Sequence, residues 1–176
     1  MMNSKLGSRF QRLEDLRTQL CSELLAMQEK ANLQPAGEKW SAVQVAAHLC
    51  NAETGGLQYM RKKIQAGDNL QRSGLKGRLR TMLLRTALRL PVRFKAPSVI
   101  AAPSNDHSAA GITHKWEELR KELRTFLDEV PEKYYETYIF RHPAAGKINL
   151  IQAIGFMGDH VQRHLEQVKR IRRQVG

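Results

Sequence analysis

Two histidines four residues apart, His160 and His164, and a third far upstream, His48, are the side chains of this 176-residue chain whose type and spacing could do chemistry. At i and i+4 on a helix two imidazoles stack on one face, and an HxxxH pair can offer both to one metal ion at ~2.0 to 2.1 Å. Surface and packing histidines produce the same spacing, so the pair alone leaves both readings open. Leu150, Ile154, Met157, Val161, Leu165, Val168 and Val175 fall in one helical arc, and both histidines fall inside it. Asp159, Arg163, Glu166 and Arg170 lie mostly outside that arc. The spacing therefore predicts histidines facing the interior and charged neighbours facing water. His48 stands among Val43, Val45, Ala46, Ala47, Leu49 and Cys50, a stretch apolar nearly all round, where an imidazole needs a polar partner. It shares a side with Val45, Ala52 and Tyr59 and lies away from the main stripe of Ala46, Cys50, Leu57 and Ile64. Periodicity leaves open whether His48 meets the pair or is a hydrogen-bonded core histidine.

Other candidates carry less. Glu53 falls in the apolar stripe of the same helix, as a buried base or as half of a structural ion pair, with the pair favoured. It follows His48 by five residues, about 140° around a helix, so the two cannot readily share a direction. His142 precedes Pro143 and is held extended, as a loop residue fixing the start of the last helix or as a catalytic group. Tyr59, Asp106 and His107 are substrate-side candidates, each also explained as structural or solvated. Two cysteines, Cys21 and Cys50, are too few for a disulfide framework or a thiolate metal site and read as buried thiols.

Helices must position these groups. Leu6, Phe10, Leu13, Leu20, Leu24 and Met27 predict a first amphipathic helix over about 6–31, closed by Pro35 and Gly37. Ser41 and Gln44 have the spacing of a capping box, with Trp40 placed to staple onto Val45, and open a second helix running to about Ala66. A shorter basic helix fits 75–90, stopped by Pro91, and the stretch 91–112 reads as loop. A helix follows from about His114 to Val130, and Asn149 with Gln152 repeats the capping geometry before a last helix from about Leu150 to Gln174. No segment has convincing strand alternation. These elements predict one all-α domain over 1–176, a four-helix bundle with a long crossover and an extra short basic helix.

Composition narrows the function classes. Hydrophobic residues make up 41% and charged residues 26%, a globular balance, and no apolar run approaches the ~20 residues that span a bilayer. The first dozen residues lack the apolar core of a secretory signal, which predicts a cytoplasmic chain. The formal charge of +12 favours anionic partners, and eleven basic residues against Asp68 lie between Arg61 and Lys95. Aromatic residues for base stacking are not interleaved with them, so sequence-specific nucleic-acid recognition is not expected. A non-catalytic bundle binding an anionic partner through 61–95 is the alternative to an enzyme.

Two runs resemble a known family. Lys39-Trp40-Ser41-Ala42-Val43-Gln44-Val45-Ala46-Ala47-His48-Leu49-Cys50-Asn51-Ala52-Glu53 is similar to the helix-two signature of the DinB-like (YfiT-like) superfamily of metal-dependent enzymes. His142-Pro143-Ala144-Ala145-Gly146, then Phe156, His160, Arg163-His164-Leu165 and Gln167, is similar to its closing motif. The resemblance implies an up-down-down-up bundle, a divalent metal, usually zinc or nickel, held by His48, His160 and His164, and commonly a homodimer. Its members with assigned activities include thiol-dependent S-transferases and hydrolases, which implies a small-molecule substrate and, for the transferases, a low-molecular-weight thiol cosubstrate. The middle of the chain, about 66–113, has no counterpart in these motifs.

Overall fold

The computed structural model describes residues 2–38, 40–67, 70–74, 79, 102–142 and 146–176. Helix α1, Ser4–Ala26, is capped by the Asn3 side chain, which accepts from the Leu6 amide at 3.0 Å. It buries Leu6, Phe10, Leu13, Leu16, Leu20 and Leu24, one stripe of a 3.6-residue period. The expected continuation to residue 31 is a separate 3-10 turn, Gln28–Asn32, because Gln28 takes a left-handed φ of 50° and breaks the α-helical ladder. Helix α2, Ala42–Gln65, opens with the capping box as expected: Ser41 Oγ accepts from the Gln44 amide at 3.2 Å, and Gln44 Oε1 accepts from the Ser41 amide at 3.0 Å.

Helix α3, Ala109–Glu129, starts five residues before the position the apolar stripe suggested. Ser108 caps it by accepting from the Gly111 amide, and Ile112 is already buried; the Ala-Ala-Gly start simply carries no periodic signal. Helix α4, Leu150–Val175, opens on the second capping box, Asn149 with Gln152, as the spacing indicated. The expected basic helix over 75–90 and its Pro91 stop lie outside the described residues, Leu79 apart, as does most of the basic segment 61–95. Among the described residues no helix is long and apolar enough to cross a membrane.

The fold is mostly helical but not all-α. Strand β1, Tyr138–His142, pairs antiparallel with β2, Gly146–Asn149, in the register Phe140 with Ile148, Arg141 with Lys147 and His142 with Gly146. Strands this short, with an irregularity between Tyr138 and Phe140, cannot show a sustained period of two, which is why alternation was not evident. The hairpin covers the start of α4 and buries Ile139 and Ile148.

Contacts between helices give their directions. Arg12 meets Asp159 at 3.1 Å and Arg172 meets Glu23 at 2.7 Å, so α1 and α4 run the same way. Arg120 meets Glu53 at 2.8 Å and Arg61 meets Glu122 at 3.1 Å, so α2 and α3 also run together. Each pair is antiparallel to the other: Asp128 near the end of α3 accepts from the Met2 amide, and Gly56 on α2 lies against Met157 on α4. A Cβ on Gly155 or Gly158 would stand 2.0 Å from Arg9 Nη1 or 2.7 Å from Arg12 Nη1. Those glycines are the notches through which the arginines of α1 cross α4. Asp159, expected to face water, is buried there against Arg12, because α1 covers that flank of α4.

Between α2 and α3 the core contains an ionic knot, which Glu14 of α1 joins at 3.6 Å from Arg120 Nε. Glu53 Oε1 accepts from Arg120 Nη2 and Glu53 Oε2 accepts from Trp116 Nε1, both at 2.8 Å, with all three side chains buried. Removing one partner of a buried pair leaves the other charge desolvated and uncompensated. Arg120→Met should therefore cost about 3–5 kcal/mol in urea unfolding, and Glu53→Leu with Arg120→Met should cost clearly less than the sum of the single changes. A loss under about 1 kcal/mol for Arg120→Met alone would contradict this account.

Candidate metal centre

The antiparallel crossing of α2 and α4 brings the three expected histidines together. His48 comes from the first half of α2, His160 and His164 from consecutive turns of α4, and one ring nitrogen from each lies within 4.8 Å of the other two. His48 Nε2 is 3.4 Å from His160 Nε2. The rings meet edge to face, with centroids 5.3 Å apart for His48 and His160, 5.2 Å for His48 and His164, and 4.8 Å for His160 and His164. The question that periodicity left open at His48 is decided by how α2 is turned against its neighbours.

Aromatic rings flank the cluster. Trp40, just before the α2 cap, packs with its ring centroid 5.0 Å from that of His48. Phe156, one turn before His160, stacks on it at 5.7 Å, and His142 at the end of β1 meets Phe156 edge-on at 4.2 Å. A polar chain leads away on the other side: His164 Nδ1 lies 2.9 Å from Gln167 Oε1, Gln167 Nε2 donates to Glu38 Oε2 at 3.3 Å, and Arg170 Nε donates to Glu38 Oε1 at 2.9 Å. The loop before α3 secures the same end of α2, since Asn105 accepts from Ser41 Oγ and Gln44 Nε2 donates to the Pro103 carbonyl at 2.8 Å.

Burial determines the charge of the rings. Desolvation holds His48 below the usual histidine range. It holds His160 well below, helped by the proximity of His164, His48 and His142. His164 is lowered to about 4 by desolvation and by His48, with the Gln167 contact pulling the other way. The cluster is therefore three neutral imidazoles at pH 7, each with a lone pair on one ring nitrogen.

The weaker candidates go elsewhere. Glu53 is spent on Trp116 and Arg120; burial pushes its carboxyl up against the pull of those two donors, and it is a structural ion pair. Tyr59 meets Phe140 edge-on at 6.1 Å and carries Lys63 at 5.9 Å from its ring, beside the hairpin. Asp106 closes a turn with Ser104, and the His107 carbonyl accepts from Asn32 Nδ2 at 3.0 Å. Cys21 and Cys50 are buried and not disulfide-bonded, and burial raises both thiols. Glu38 was missed by sequence reasoning, because nothing in a loop glutamate signals a partner on a helix more than a hundred residues later.

Depressed imidazoles make the metal-free fold sensitive to mild acid. An unfolded histidine titrates near 6.5, so between that value and the lower folded value the unfolded chain binds more protons and stability rises with pH. The contribution is intact above about pH 7 and is lost as pH falls toward about 4. In chelator-treated protein the melting temperature should fall between pH 7 and 5.5, and less steeply in His164→Gln; identical slopes for the two proteins would contradict the assignment.

The family model for the DinB superfamily matches residues 9–168, a span that takes in most of α1, all of α2, α3 and the hairpin, all three histidines and most of α4. The uncharacterized protein YuaE of Bacillus subtilis (strain 168) is similar, 23% identical over 147 residues that cover 84% of this chain and 86% of that protein. No solved structure matches the chain. With the fold and the histidine cluster both inside the matched span, this chain belongs to the DinB superfamily.

Proposed function

We propose that the chain is a metal-dependent enzyme in which His48, His160 and His164 hold one divalent cation, zinc or nickel. The observation that carries the reading is the cluster itself: three neutral imidazoles from two helices converge, with one ring nitrogen of each within 4.8 Å of the other two. Imidazole nitrogens suit such an ion, and the spacing of one pair matches it. Bonds of ~2.0 to 2.1 Å at a tetrahedral angle place two nitrogens about 3.3 Å apart, and His48 Nε2 and His160 Nε2 are 3.4 Å apart. Three protein ligands leave a position for water or substrate, the pattern of a catalytic rather than a closed structural site.

When bound, such a cation supplies Lewis acidity, the chemistry that makes a water or thiol acidic at neutral pH and polarises an electrophile. The chain's own residues do the rest. The imidazoles stay uncharged at neutral pH because they are desolvated, so no imidazolium proton must be lost before an ion is bound. Trp40 and Phe156 wall the rings of His48 and His160 and exclude water from two sides. With no nucleophilic side chain in the cluster, the reaction this favours is transfer to or from a low-molecular-weight thiol, with hydrolysis of a small molecule next; the basic surplus suits an anionic substrate. A homodimer, as the family resemblance implies, and a cytoplasmic location belong to the same proposal. The paired helix directions support a single up-down-down-up four-helix bundle over 1–176.

Elemental analysis of untagged protein tests the reading. About one divalent ion per chain is expected, and His48→Ala and His160→Ala, checked for folding by circular dichroism, should each lose it. A parent protein that carries no ion and takes up neither zinc nor nickel would sink the proposal.

A further inference from the structure

We infer that Glu38 and Gln167 are positioning residues that set the tautomer of His164, so that its Nδ1 carries the proton and its Nε2 lone pair faces the cluster; the role toward a metal rests on the reading above. The argument runs through three contacts. Pro35 to Glu38 form a tight turn, closed by the Glu38 amide donating to the Pro35 carbonyl at 3.2 Å, with Gly37 at φ 78° where a side chain would be strained. This turn presents the Glu38 carboxylate to α4, with its side chain only 9% exposed, and Arg170 Nε holds one oxygen at 2.9 Å. The other oxygen lies 3.3 Å from Gln167 Nε2.

An ionised carboxylate only accepts, so the Gln167 amide must turn its NH2 toward Glu38; the flipped amide would set oxygen against oxygen. The Gln167 carbonyl oxygen then faces His164 Nδ1 at 2.9 Å and can only accept. A neutral imidazole has one N–H, and here it must be Nδ1–H. His164, Gln167 and Arg170 are spaced three apart on one row of α4, so a single loop carboxylate orients all three. Glu38 also lies two residues before Trp40, whose ring packs on that of His48.

The test uses metal-free protein with 15N-labelled histidine, in which long-range proton–nitrogen correlation reads each ring's tautomer directly. His164 is expected as Nδ1–H in the parent and as a mixture or Nε2–H in Gln167→Leu. In Glu38→Gln combined with Gln167→Glu, residue 38 donates and residue 167 accepts, and Nδ1–H should return. Zinc affinity, measured by competition with a chromogenic chelator, should fall about 10- to 100-fold in Gln167→Leu and recover in the double variant. An Nε2–H parent, or a Gln167→Leu protein with an unchanged tautomer, would overturn the inference, and the parent spectrum alone decides if a variant does not fold. A parent with the expected tautomer that binds no zinc or nickel would instead uphold the relay and remove the metal reading.

Discussion

The buried carboxylate of Glu53 is the constraint on which the geometry of α2 depends. Held at 2.8 Å by both Trp116 Nε1 and Arg120 Nη2, it ties one side of α2 to α3 inside a largely apolar core. A desolvated charge tolerates little movement away from its partners, because each lost hydrogen bond to a buried ion is costly. Fixing Glu53 toward α3 fixes the rotation of the whole helix. His48, five residues earlier and about 140° around, is thereby aimed toward α4. A rotational constraint in one interface thus becomes a positional one in another, and the histidine cluster is its consequence.

On α4 the corresponding constraint comes from α1. Gly155 and Gly158 admit Arg9 and Arg12, and Asp159 takes the Arg12 charge at 3.1 Å in a buried setting. Asp159 immediately precedes His160, so the flank that α1 covers and the face that carries the histidines are separated by one residue step, about 100°. The helix cannot roll to expose His160 without dragging Asp159 out of its pairing. Charge at this level of the fold is held by the flanking ion pairs, while the histidines between them stay neutral.

Much of this was legible in the sequence, for identifiable reasons. The two capping boxes, Ser41 with Gln44 and Asn149 with Gln152, involve partners three residues apart, and local chemistry of that range is written in local sequence. The apolar stripe of α4 put His160 and His164 on its inward side, where both are half-buried. It put Asp159 outside incorrectly, because a wheel shows which residues share a direction but not how wide an arc the neighbouring helices cover. The hairpin Tyr138–His142 and Gly146–Asn149 was invisible for a different reason: four- and five-residue strands are too short to establish a period.

The sequence by itself determined the four long helices, the capped starts of α2 and α4, the histidine pair on one turn-spaced row and the family to which the chain belongs, because each rests on residues a few positions apart or on a motif read in order. Only the tertiary structure decided that His48 joins that pair, that Glu53 is bound to Arg120 and Trp116, and that Glu38 reaches Gln167. Each of those pairings spans more than sixty residues of chain and depends on the rotation of one helix against another, which packing fixes and a one-dimensional period cannot.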